Sequence, residues 1–303
     1  MPDYIPGYIK LYKKGELKKR ADEALKRLEN CDICPHNCQV DRTKGERGRC
    51  GAPSTLIISG FHRHFGEEKV LVGDRGSGTI FFSNCNLSCV FCQNCDISCY
   101  GEGYEISEKK LADVMIRLQR YGCHNINLVS PSHYWPNIMM AVYYAALKGL
   151  NIPIVYNTGG YDALSALKSL DGIIDIYMPD IKFSDDKMGE KYAGVKGYFS
   201  VTKKAVKEMY RQTGDLKVDK RGIAYRGLLV RHLILPDDIS GTKGVLEFIA
   251  NDISKNTYVN LMDQYYPAHR AEDYPPLNRR ITANEFQKAI DTAIKLGLTR
   301  LEK

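Results

Sequence analysis

The sequence predicts an α/β protein: a partial (β/α)6 barrel of parallel strands, preceded by a Cys-rich, metal-binding N-terminal extension. Three observations carry this. From Thr79 onward, short apolar runs alternate with segments of helical period, as expected of buried parallel strands joined by crossover helices. Residues 31–55 are rich in Cys, Gly and Arg without periodicity, so they read as a loop organised by metal. Nine of the ten cysteines fall into two groups: Cys31, Cys34, Cys38 and Cys50, then Cys85, Cys89, Cys92, Cys95 and Cys99.

Taken in order, Gly15 to Asn30 puts Leu17, Ala21, Ala24, Leu25 and Leu28 on one face, an amphipathic surface helix with a solvated basic side. Strands are expected at Thr79–Ser83, Ile126–Val129, Ile152–Tyr156, Ile174–Met178, Leu228–Leu235 and Tyr258–Tyr265. Helices fall between or after them at Leu111–Tyr121, Asn137–Leu150, Ala163–Leu170, Val201–Gln212 and Val245–Ile253. Six such units make an incomplete barrel or an open sheet. A last helix starts at Thr282, where Thr282 and Glu285 form a capping box, and turns Phe286, Ile290, Ala293 and Ile294 inward. The organisation is a helical segment over 1–30, a Cys-rich extension over 31–60, and a core domain with C-terminal elaboration over 61–303.

The composition, 44% hydrophobic and 26% charged over 303 residues, excludes disordered and fibrous classes. The longest uncharged apolar run, Ile138–Leu147, has ten residues, half of the roughly 20 a bilayer span needs. The N-terminus lacks an apolar signal region, so a soluble cytoplasmic protein without membrane contact is expected. The net charge of +7 is spread without a block of like charges. That speaks against nucleic acid and suits an acidic protein partner or electron donor equally. In such a chain ten cysteines point to metal or redox chemistry rather than disulfides. Cys123 stands apart and reads as a buried structural thiol.

Cys85-x3-Cys89-x2-Cys92 follows directly on the first expected strand, in GTIFFSNCNLSCVFCQN. Three thiolates on one loop suit three irons of a [4Fe–4S] cube, leaving the fourth iron open to substrate or cofactor. Zinc, or a cluster completed by Cys95 or Cys99, are the alternatives. Cys31-x2-Cys34-x3-Cys38-x11-Cys50 is a complete four-thiolate set, and closes a site that suits zinc or a second iron–sulfur cluster. It is either a structural clip or an auxiliary centre relaying electrons.

The three-cysteine spacing with Phe91 before the last Cys resembles the signature of the radical S-adenosylmethionine superfamily. With VYNTGGYD, MPDIK, RGLLVRHLILP and YVNLMDQYYP, the resemblance narrows to a branch related to the pyruvate formate-lyase activating enzyme, over residues 15–303. It implies that S-adenosylmethionine chelates the open iron, accepts one electron and yields a 5′-deoxyadenosyl radical that removes hydrogen from substrate. It also implies a flavodoxin- or ferredoxin-like electron donor. Where the family carries a Gly-Gly-Glu-like turn for the cofactor amine, this chain has Ser130-Pro131-Ser132-His133-Tyr134, leaving Ser130, Ser132 or His133 for that contact. Asn157, Thr158 and Gly159 end the third strand, the glycine allowing close approach to ribose or carboxylate. By resemblance Asp180, Thr158 and the Met178 carbonyl ligate a monovalent cation, weakened because Asn157 replaces an aspartate. Lys182 then pairs with the cofactor carboxylate; a plain surface Asp180–Lys182 ion pair is the alternative. Arg231, costly to bury without an anion, favours the same carboxylate. Gln264 and Tyr265 complete the pocket candidates. Cys95 and Cys99 stand where related sequences carry Trp and Gln, and read as spare thiols or extra ligands.

The leading function is a radical S-adenosylmethionine enzyme that makes a glycyl radical on a partner protein. A second keeps the chemistry but modifies a small molecule, RNA or another peptide residue. A third is a non-catalytic iron–sulfur carrier or a zinc-stabilised nucleic-acid binder. Three rather than four strand-linked cysteines argue against the carrier, and the unclustered charge against the binder.

Overall fold

In the computed structural model, which describes residues 4–302, the chain opens with two helices, α1 (Gly7–Lys13) and α2 (Glu16–Leu25). The thiol-bearing segment follows as coil, interrupted by a single 3-10 turn at Arg42–Lys44. Strand β1 (Leu56–His64), helix α3 (Lys69–Val72) and strand β2 (Ser77–Phe82) lead to the second cysteine loop, which contains α4 (Cys95–Ser98). After β3 (Tyr104–Ile106) the alternation sets in, with α5 (Glu108–Arg120), β4 (Ile126–Val129), α6 (Trp135–Leu147) and β5 (Ile154–Thr158). It continues through α7 (Leu164–Ser169), β6 (Ile176–Pro179), α8 (Asp186–Ala193) and α9 (Tyr198–Thr213). The chain then forms β7 (Lys217–Val218), β8 (Ala224–Leu233), α10 (Thr242–Phe248), β9 (Tyr258–Met262) and α11 (Ala283–Lys295).

The sheet runs β3-β1-β2-β4-β5-β6-β8, and β8 carries both β9 and the short β7. Strands β2, β4, β5, β6, β8 and β9 are mutually parallel, which is the partial barrel expected from the alternation. Strands β1 and β3 are antiparallel additions. β1 crosses the boundary expected at residue 60, because its ladder to β2 runs from Ile58 to His64; residues 56–60 therefore belong to the sheet.

The main core lies between the sheet and its helices. α6 is packed between α2 and α5, with Trp135, Met139, Ala141 and Val142 fully buried. Burying each large apolar side chain contributes roughly 1.5–3 kcal/mol. Trp135 also donates its indole N–H to the Ile33 carbonyl at 3.0 Å, and the Arg27 guanidinium lies 5.2 Å from its ring. The N-terminal segment is thereby docked on the barrel.

Inside the barrel, Leu71, Val155, Ile176, Met178, Leu216, Ala224 and Leu229 form a separate buried apolar cluster, beneath the cleft at the strands' C-terminal ends. The ring does not close. Glu67 and Glu68, just before α3, reach Asn127 on β4 (3.1 Å) and Asn260 on β9 (2.9 Å). The Lys69 amide donates to Glu302, which follows a bridge between Leu301 and β9 (3.0 Å).

Helices α5, α8 and α11 each start at a residue whose side chain caps them. α5 begins three residues earlier than its periodicity suggests, because the Ser107 hydroxyl accepts from the Lys110 amide (3.3 Å). The Thr282–Glu285 capping box is formed. Ile294, expected inward, is 57% exposed; the stripe of α11 that reaches the core centres on Ala289 and Ala293. Among the described residues no helix is long and apolar enough to cross a membrane.

Candidate functional site

A cleft of about 510 Å³ opens at the C-terminal ends of the parallel strands, where β/α folds place their sites. One wall is the loop after β2. Its backbone is tied to the end of α8 by Ser88 N–H to Ala193 O and Val90 N–H to Tyr192 O, both 2.9 Å. Phe91 anchors it from below, edge-on to Phe183 and Tyr265 with centroids 6.1 Å away. So held, Cys85, Cys89 and Cys92 all line the cleft as free thiols. Burial pushes the Cys85 thiol up to about 12 and raises Cys89 as well, while Lys182 opposes both. Cys92 also meets the Ser98 hydroxyl at 2.9 Å, bringing Cys99 close by.

Facing the thiols is a charge network built from the ends of β5, β6 and β8. Lys182 donates to Asp180 at 2.7 Å, and Arg231 donates to the other Asp180 oxygen at 2.8 Å. Arg231 further reaches Glu67 (3.1 Å) and the Asn157 side-chain Oδ1 (2.8 Å), with Glu68 at 4.0 Å. Burial would raise the Asp180 carboxyl, but Arg231 and Lys182 outweigh it and hold it at about 2. This partly buried network replaces the surface ion pair considered for Asp180 and Lys182. Within the protein, three carboxylates compensate Arg231.

The candidates sort as follows. Ser130, Asn157, Thr158, Gly159, Asp180, Lys182, Arg231 and Gln264 line the cleft with the three cysteines. Ser132 and His133 do not. Past Ser130, whose φ is +57°, the chain turns inward, so Ser132 is buried against the Thr158 hydroxyl (3.0 Å). His133 is buried against the Ser83 carbonyl (2.8 Å), and burial brings its imidazole down to about 3. Tyr265 is likewise buried, donating to the Leu277 carbonyl at 2.6 Å. The expected cation ligands are already engaged: Asp180 by Lys182 and Arg231, and the Thr158 hydroxyl by Asp162 at 2.6 Å. A Cβ on Gly159 would stand 2.6 Å from Leu87 Cδ1, the far end of a side chain that can move aside. Sequence reasoning missed His62, His64 and Glu67, which line the cleft from β1 and the turn after it. His62 stacks on Phe81 with centroids 5.4 Å apart and meets His64 at 3.3 Å. The alternation of FHRH was the available signal.

Among the described residues no three Cys, His, Asp or Glu side chains are grouped to hold a single metal ion. A cube spreads its thiolates over different irons, and three free thiols on one cleft wall suit that donor set. Cys31, Cys34, Cys38 and Cys50 lie together at the side of the barrel, near enough that Cys50, Cys31 and Cys38 all add to the raised pKa of Cys34, after burial.

Residues 79–217 match the model of the Radical SAM superfamily. An uncharacterized protein of Methanocaldococcus jannaschii is 32% identical over 309 aligned residues, covering 96% of this chain and 82% of its own. The crystal structure of Streptococcus suis SuiB bound to precursor peptide SuiA aligns with TM-score 0.50 at 13% identity, a likeness of fold. That alignment covers 72% of this chain and 46% of SuiB, so the chain spans about half of that structure.

Proposed function

Because residues 79–217 match the Radical SAM superfamily model, we propose that this chain cleaves S-adenosylmethionine reductively at a [4Fe–4S] cluster held by Cys85, Cys89 and Cys92. The resulting radical takes a hydrogen atom from a substrate. Three free thiols on one wall of a cleft that also presents Lys182 and Arg231 carry this reading. When bound, the cluster supplies the electron that breaks the sulfonium C–S bond, giving methionine and the 5′-deoxyadenosyl radical.

The protein's part is position and exclusion of water. Leu87, Phe91, Val129, Leu233 and Met262 belong to the apolar share of the cleft lining, the part able to keep water from a reactive species. Lys182 offers its remaining ammonium protons to a carboxylate, held in place by Asp180. Ser130, Asn157 and Gln264 supply neutral polar contacts. His62 and His64 stand on β1, where a substrate would be met.

The hydrogen donor in this reading is a glycine Cα–H of a partner protein, as for the activating enzymes the sequence resembles. Flanking amides delocalise the radical formed there. A flavodoxin- or ferredoxin-type donor supplies the electron, and the N-terminal thiols carry a second metal centre. A monovalent cation at Asp180, Thr158 and the Met178 carbonyl would share these groups with Lys182, Arg231 and Asp162.

Anaerobically reconstituted protein with dithionite should convert S-adenosylmethionine to 5′-deoxyadenosine and methionine. Cys85→Ala, Cys89→Ala and Cys92→Ala should each reduce this to reagent background; full turnover in all three sinks the proposal. A glycyl-radical-type partner should then show the radical's EPR doublet. Deoxyadenosine without that doublet would move the substrate to a small molecule, RNA or another peptide residue.

A further inference from the structure

The N-terminal thiol loop contains a buried charge that no carboxylate among the described residues balances. Arg42 is 1% exposed, yet its guanidinium donates only to carbonyls: Pro53 (3.1 Å from Nε, and again from Nη2) and His133 (2.8 Å). It lies 5.6 Å from the Tyr134 ring, and among the described residues it has no carboxylate partner. An uncompensated buried cation costs several kcal/mol. Arg42 stands between Cys38 and Cys50 in the same loop. Neutral thiols do nothing for that charge, whereas four thiolates around a metal centre carry the negative charge it lacks.

The loop is also shaped around its sulfurs. Cys31 N–H donates to Val40 O (3.0 Å) and Gln39 N–H returns to Cys31 O (2.9 Å), with Asn37 and Gln39 at φ +46° and +56°. The Arg49 amide donates to Cys38 Sγ at 3.3 Å, and a Cβ on Gly48 would stand 2.9 Å from that sulfur.

Finally, the loop is seated on the one that bears Cys85. His36 meets the Asn86 carbonyl at 2.7 Å, one residue from Cys85. Asn86 in turn donates to the Tyr161 carbonyl at 2.6 Å, and the His36 ring lies 5.6 Å from that of Tyr161. Arg49 adds a contact to Gly194 O at 3.2 Å, next to the Ala193 that holds Ser88. Summing chain steps through His36, the Cys34 and Cys85 Cα atoms lie within roughly 20 Å. Clusters several ångströms across shorten that gap from both ends.

We infer that Cys31, Cys34, Cys38 and Cys50 hold an iron–sulfur cluster that relays single electrons to the cluster at Cys85, Cys89 and Cys92 across the His36–Asn86 contact. The inference rests on the radical reading for its electron acceptor. A low-potential one-electron carrier protein, a reduced flavoprotein or ferredoxin, loses one electron. The N-terminal cluster is reduced and reoxidised in turn, and the cleft cluster gains that electron. No bond forms or breaks.

The test uses the full chain, reconstituted anaerobically. A Cys85→Ala, Cys89→Ala, Cys92→Ala triple variant should retain about four irons and four sulfides and become paramagnetic on reduction. Zinc, or no metal in that variant, overturns the inference. In the unmutated chain, with about eight irons, the two reduced signals should broaden one another; a simple sum of independent spectra overturns the relay. His36→Ala should keep all its iron and its dithionite-driven cleavage within twofold. Cleavage driven by reduced flavodoxin should fall at least tenfold, and an unchanged rate overturns the assigned route. Four irons in the triple variant, beside an unmutated chain that cannot cleave S-adenosylmethionine even with dithionite, would sink the radical reading and leave the N-terminal cluster standing.

Discussion

The two cysteine loops are supplied with positive charge in opposite ways. Beside Cys85, Cys89 and Cys92, the cations Lys182 and Arg231 come with their own anions, Asp180, Glu67 and Glu68. In the loop that bears Cys38 and Cys50, Arg42 is buried against carbonyl oxygens and the Tyr134 ring. The cleft is therefore electrostatically settled before any ligand arrives, and presents rearrangeable partners to one that carries both charges. The side loop is unsettled without an anionic centre. An open site tolerates exchange of ligands, and a closed site is completed once.

The comparison breaks most easily at Arg42. Arg42→Ala leaves the Pro53 and His133 carbonyls without their donor, and should cost about 2–5 kcal/mol in urea denaturation of the metal-loaded protein. A loss below about 0.5 kcal/mol, the range of ordinary surface changes, would show that this charge is not part of the loop's organisation.

On the cleft side the corresponding change is Asp180→Asn. The folded carboxyl sits at about 2, below its ordinary 3.8, so the stability it adds is present above pH 4 and lost as pH falls through 2. Integrated over that window the contribution is about 2 kcal/mol. The variant should be less stable by that order at pH 7 and show a flatter acid limb. Parallel stability–pH curves for the two proteins would contradict the compensated network.

The smallest contrast is steric. Gly48→Ala drives a methyl toward Cys38 Sγ and Cβ, at 2.9 and 3.0 Å, in a loop wrapped around that sulfur. A cost of about 1–3 kcal/mol is expected. Gly159→Ala meets the far end of Leu87, which can rotate toward the cleft, so thermal unfolding should register less than about 1 kcal/mol. Equal costs would mean the two loops are equally rigid.

Much of the scaffold was legible because parallel strands are buried on both faces and leave short apolar runs such as IPIVY and IYMP. β1 escaped because LIISGFHRH turns polar halfway and adjoins the cysteine-rich coil. With it went His62, His64 and Glu67. The loop thiols could be placed in the cleft from their position after a strand. Ser132 and His133 could not be excluded from it, since the inward turn at Ser130 is a backbone choice that residue type does not announce. Arg231 was recognised as needing an anion. That Glu67 provides one, 164 residues earlier in the chain, belongs to the tertiary structure alone.

The unclosed ring has a mechanical consequence. A complete barrel shares any outward load among all its ladders, and widening it means breaking one of them. Here the segment at the start of α3 is joined to β8, β9 and the C-terminal segment across a seam by discrete contacts: Glu67 to Arg231, Glu68 to Asn260, and the Lys69 amide to Glu302. Glu302 also takes the Tyr258 hydroxyl at 2.5 Å, so one carboxylate fastens both lips of the seam at its outer edge. Releasing those few bonds lets the girth of the barrel change by hinging, with every strand pairing intact.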